Sequence, residues 1–137
     1  MNNKNISNPI KVFREGGIVI FPTDTAYGIG CRIDSEDSVK KIFEIRKRVE
    51  TKPLLILVDS MQMAQEYAQF SEKTTLFCKT YWPGGVTVIL PAKLEKVPGI
   101  VRAYGNTVAI RIPKQKYLLE IISKLGVPIV APSANIS

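Results

Sequence analysis

Apolar residues along the chain fall into short runs with two different spacings, one suited to strands and one to helices. Ile18-Val19-Ile20-Phe21 is β-branched and aromatic; it predicts a strand stopped by Pro22, followed by the polar string Thr23-Asp24-Thr25 and the flexible glycines of Tyr27-Gly28-Ile29-Gly30. Leu54 to Val58, bounded by Pro53 and Asp59, is the unbroken apolar run of a strand covered on both faces. Val86 to Leu90, stopped by Pro91, predicts another. Thr107 to Ile112 alternates with period two, so Val108, Ile110 and Ile112 meet the core while Thr107, Ala109 and Arg111 share the opposite face. Pro128 to Val130 begins a last strand.

Between these runs the spacing becomes helical. Asn8 as a cap with Pro9 at the first helical position, and Gly16-Gly17 beyond, predict a short helix over residues 9 to 15. Asp34 or Ser35 caps a second, with Val39, Ile42, Phe43 and Ile45 mostly on one face and Arg46-Lys47-Arg48 at its end. Ser60 caps a helix over Met61 to Ala68. Ser71 starts another, which runs through Leu76, Phe77 and Tyr81 to the breaker Trp82-Pro83-Gly84-Gly85. After the basic loop Ala92 to Asn106 and the strand that follows it, Tyr117, Leu118, Ile121, Ile122 and Leu125 form a stripe closed by Gly126. Strands and helices alternate without repeats, which gives an α/β (or α+β) class: a mixed parallel and antiparallel sheet flanked by helices.

Composition narrows the chemistry. A chain of 137 residues is the size of one domain, so a single domain over residues 1–137 is expected. The longest apolar runs are five residues, as in Leu54 to Val58, against the roughly 20 that a membrane span needs. No membrane association and a cytoplasmic location are the default expectations, because the N-terminus lacks the pattern of a signal peptide. The sequence holds no histidine, and its two cysteines, Cys31 and Cys78, lack CxxC spacing. A zinc site and a histidine general base are thereby excluded, and no metal ligand set is expected. Nineteen Lys and Arg against twelve Asp and Glu give +7 and favour a polyanionic partner such as a nucleotide or RNA, the alternative being simple solubility.

Four stretches are candidates for function, each with a plainer reading. Thr23-Asp24-Thr25 either serves a ligand at a strand's carboxyl end or makes a hydrogen-bonded turn. Arg46-Lys47-Arg48 with Lys52 is either a solvated helix end or an anion clamp held against the sheet. Arg111, an arginine in an otherwise apolar strand, either meets a carboxylate such as Asp24 or reserves its fork for a ligand's carboxylate or phosphate. Ser133 and Asn135 of APSANIS either bind a ligand or cap a turn.

Taken in order, PTDTAYGIG, KKIFEIRKR with KPL, WPGGVTVILP, TVAIRIP and APSAN resemble the motifs of the YrdC-like family of threonylcarbamoyl-AMP synthases, over roughly Gly16 to Ser137. The resemblance implies a twisted mixed sheet with a concave basic cavity. It also implies formation of L-threonylcarbamoyladenylate and pyrophosphate from L-threonine, bicarbonate and ATP with Mg²⁺, for N6-threonylcarbamoylation of an adenosine in tRNA. Other implied partners are tRNA or double-stranded RNA and the proteins that transfer the threonylcarbamoyl group. Carried over by position, Arg46, Arg48, Lys52, Thr107, Ser133 and Asn135 contact ATP, while Thr25, Arg111 and the backbone at Ala131 contact L-threonine. No side-chain nucleophile is implied.

Two departures accompany the resemblance. Arg46-Lys47-Arg48-Val49 stands where the family commonly has Lys-Gly-Arg-Pro. The family's domain also continues past the SAN motif, so the expectation here is a domain lacking that continuation, with a pocket open on one side. The alternatives are a non-catalytic RNA- or nucleotide-binding homologue and a carbamoyl-adenylate enzyme of the hydrogenase-maturation type.

Overall fold

The computed structural model describes residues 3–22, 27–46 and 53–132. Six strands, β1 (Val19–Pro22), β2 (Tyr27–Arg32), β3 (Leu55–Leu57), β4 (Val88–Pro91), β5 (Thr107–Arg111) and β6 (Ile129–Val130), form one sheet in the order β1-β2-β6-β3-β5-β4. Among the described residues only β3 and β5 pair in parallel; every other neighbouring pair is antiparallel. Five helices accompany the sheet: α1 (Asn3–Arg14), α2 (Glu36–Arg46), α3 (Met61–Tyr67), α4 (Glu72–Tyr81) and α5 (Lys116–Leu125).

The sheet separates two apolar cores. On one side Val39, Ile42 and Phe43 of α2 and Ala64 and Tyr67 of α3 pack over Ile29, Cys31, Ile56, Val108, Ile110 and Val130. On the other, Ile10 and Phe13 of α1 and Leu118, Ile121 and Ile122 of α5 cover Phe21, Leu57 and Ile129. Leu57 and Ile56 are both fully buried, on opposite faces, which is why the Leu54 to Val58 run is apolar throughout.

Local chemistry explains most boundaries. Ser60 and Ser71 accept from the N–H of Met63 and Thr74, each at 3.1 Å, and so satisfy donors that the first turns of α3 and α4 leave open. Gly126 ends α5 at φ +83°, where a Cβ would be unfavourable.

Four expectations are corrected. The first helix begins at Asn3 rather than at Pro9, which lies inside it; burial of the Ile10 and Phe13 face outweighs the one internal hydrogen bond that proline removes. Pro22 does not stop β1 but completes it opposite Tyr27, which is permissible because β1 is an outer strand. Tyr27 to Arg32 is a strand, not a flexible glycine segment. Its glycines answer to crowding, since a Cβ on Gly30 would stand 2.8 Å from both Ile129 Cγ2 and Phe21 Cε1. Ile45 points outward, 44% exposed, while the inward row of α2 is Val39, Ile42, Phe43 and Arg46.

Candidate functional site

The parallel pair β3 and β5, with β6 on the far side of β3, assembles the described part of the site. Leu55 lies opposite Ala109 and Leu57 opposite Arg111, and Leu57 in turn lies opposite Ile129 of β6. Ala131, just beyond β6, donates its N–H to the Leu55 carbonyl at 2.8 Å. Arg111 and Ala131 therefore stand on the two sides of β3, offset by two residues along it, Arg111 level with Ile129 and Ala131 beside Leu55. Side-chain alternation sends Thr107, Ala109 and Arg111 to the face opposite Val108, Ile110 and Ile112, as the period of two requires.

Arg111 is 3% exposed. One terminal nitrogen donates to the Gly84 carbonyl at 2.8 Å, and the Gly84 N–H donates to the Ile112 carbonyl at 3.0 Å. The Trp82-Pro83-Gly84-Gly85 breaker thus closes onto the end of β5 and fixes the guanidinium. Thr107, half-buried, opens the same strand.

Arg46 is also buried, at 7% exposure, as the last residue of the inward row of α2. The residues of that row before it, Val39, Ile42 and Phe43, pack with Ile29 and Cys31 of β2. The spacing of three from Phe43 to Arg46 was the signal for burial that the basic run concealed. Thr25, Arg48, Lys52, Ser133 and Asn135 lie outside the described residues, as does Asp24.

One further contact bears on the site and had no local sequence signal. The Tyr117 hydroxyl donates to the Pro22 carbonyl, tying the start of α5 to the end of β1, from which Thr23-Asp24-Thr25 follows. Burial, with a smaller contribution from Tyr27, pushes the Tyr117 hydroxyl up to about 12. Cys31 is likewise pushed up to about 12, by burial and then by Asp34, so its thiol stays protonated and is no nucleophile near neutral pH. Asp34 is held below the ordinary carboxylate range by its hydrogen bonds from Arg32, one of them 3.0 Å long. Among the described residues no three acidic or thiol groups converge, and no helix is long and apolar enough to cross a membrane.

Helices on both faces of a mixed sheet, with an arginine buried in one of its inner strands, define an α/β domain. The chain belongs to the Sua5/YciO/YrdC family, whose model, described as telomere recombination, matches residues 11–137. It is 39% identical over 137 residues to a threonylcarbamoyl-AMP synthase of Bacillus subtilis (strain 168), covering 99% of this chain and 40% of that protein. To the threonylcarbamoyl-AMP synthase of Pyrococcus abyssi it is 41% identical over 125 residues, covering 90% of this chain and 36% of that one. A crystal structure of P. abyssi Sua5 complexed with L-threonine superposes with a TM-score of 0.94 at 37% identity, over 100% of this chain and 40% of that chain. The chain thus spans about two fifths of the length of these relatives.

Proposed function

We propose that this chain carries the adenylate-forming part of a threonylcarbamoyl-AMP synthase. The observation that carries the reading is the buried Arg111, bonded to Gly84 on the strand that pairs with β3, within a fold that superposes on a protein crystallised with L-threonine. In this reading Arg111 pairs with the carboxylate of L-threonine or of its carbamate, the Ala131 carbonyl and Thr25 complete that subsite, and Thr107 begins the nucleotide subsite. Arg46, Arg48 and Lys52 neutralise phosphates, with Ser133 and Asn135 as further ATP contacts.

The reaction needs no side-chain nucleophile. The amine of L-threonine adds to bicarbonate with loss of water, giving a carbamate; a carbamate oxygen then attacks the α-phosphorus of ATP in line, and the bond to the leaving pyrophosphate breaks. Mg²⁺ enters with the nucleotide as its phosphate complex. The protein's contribution is positioning and charge neutralisation, which a histidine-free chain can supply. The adenylate would then pass, in the cytoplasm, to the proteins that modify tRNA.

Labelled bicarbonate tests this. Incubation with ATP and L-threonine should place the label in a compound that also contains adenosine, and omission of L-threonine should abolish it. Salt-sensitive binding of tRNA or double-stranded RNA with no labelled adenylate would instead favour a non-catalytic binder, to which the +7 charge is equally suited.

A further inference from the structure

The turn that meets Arg111 holds two adjacent glycines, Gly84 and Gly85, and leaves Pro83, Gly85 and Thr87 exposed. Glycine gives a backbone more freedom than any other residue, so a Gly-Gly turn left to itself would not keep one carbonyl in one place. Yet the Gly84 carbonyl accepts from a terminal nitrogen of Arg111 at 2.8 Å, a bond that lasts only while the turn keeps its shape.

Three hydrogen bonds among the described residues give the turn that shape. Trp82 N–H donates to the Cys78 carbonyl at 2.8 Å and fastens the turn to the end of α4, and Gly84 N–H donates to the Ile112 carbonyl at 3.0 Å. The third comes from a side chain. Trp82 Nε1 donates to the Val86 carbonyl at 2.7 Å and so bridges the turn from its first residue to the approach to β4, where Val88 pairs with Ile110.

Trp82 is itself firmly held. It is buried, meets Phe70 edge to face with ring centroids 6.3 Å apart, and belongs to the same core as Val108, Ile110 and Ile112. The turn therefore links the core on one side of β5 to a guanidinium that alternation puts on the other. A phenylalanine could also meet Phe70; what the indole adds is a donor.

We propose that Trp82 is a positioning residue for L-threonine binding: its indole N–H closes the Gly-Gly turn and, through the Gly84 carbonyl, sets where the Arg111 guanidinium sits. This rests on the reading that Arg111 pairs with the carboxylate of L-threonine, and adds to it a residue that touches no ligand. Without the indole bond the Gly84 carbonyl is in place for only part of the time, and apparent affinity falls with the fraction of chains in the competent state.

Calorimetric titration with L-threonine and, separately, with ATP tests this on two forms of the chain. One is Trp82→Phe. The other carries benzothienylalanine in place of tryptophan, which exchanges the indole N–H for sulfur at nearly constant shape; the sequence has a single tryptophan, so position 82 alone changes. In both, L-threonine should bind at least about threefold more weakly, as the loss of one hydrogen bond allows, while ATP binds as it does to the parent. Unchanged L-threonine affinity, or an equal loss for L-threonine and ATP, overturns the positioning role alone, because a tryptophan that only stabilises the fold moves the melting temperature and favours neither ligand. If Arg111→Ala leaves L-threonine affinity untouched, both this role and the reading beneath it fall.

Discussion

A guanidinium buried in a sheet has to be offset by what it holds, because desolvating a cation costs several kcal/mol. Arg111 donates one terminal nitrogen to the Gly84 carbonyl, and the proposed function gives the guanidinium its value. Arg111→Lys keeps the charge but loses the planar pair of donors. The variant should stay folded by circular dichroism and bind L-threonine at least about tenfold more weakly by calorimetry. Tyr117 offers a separate test through pH. Its folded-state value is raised from 10.0 to about 12, so the proton is held more tightly in the folded chain, and the associated stability is complete below pH 10 and lost as pH rises to about 12. Tyr117→Phe should flatten that decline in urea midpoints between pH 10 and 12 relative to the parent. It should also lower stability near neutral pH by about 1 kcal/mol through loss of the bond to Pro22. The face of Arg111 was legible because a period of two admits only one placement. The burial of Arg46 was hidden by its cationic neighbours, and the contact between Tyr117 and Pro22, 95 residues apart, has no local signature.

Elements were most legible where local chemistry and burial agree. The capping serines of α3 and α4, the terminal Gly126 of α5 and the doubly covered β3 each follow from the residues at hand. They failed where tertiary packing decides. β2 reads as glycine-rich and flexible, but its glycines are the residues that allow Phe21 and Ile129 to close over the strand. Gly30→Ala should therefore cost roughly 1–3 kcal/mol in denaturant unfolding, as overpacking does, whereas a flexible segment would tolerate the methyl group. The same logic accounts for α1. Its N-terminal turns precede a proline that ordinarily begins a helix, and the apolar face against α5 carries the helix through it.

Across the whole molecule, the order β1-β2-β6-β3-β5-β4 draws distant motifs together: β3 joins a segment near residue 55 to one near 110 and another near 130. That convergence explains why motifs ambiguous singly become specific as an ordered set, and the family match over residues 11–137 agrees with it. The chain overlaps about two fifths of the Bacillus and Pyrococcus synthases, so the synthase reading is a proposal about this segment's own chemistry. Pyrophosphate release from ATP measures that chemistry most directly. The account predicts release that requires L-threonine and bicarbonate together and is lost in Arg111→Ala. Release independent of L-threonine, or none while ATP and L-threonine are both bound, would contradict it.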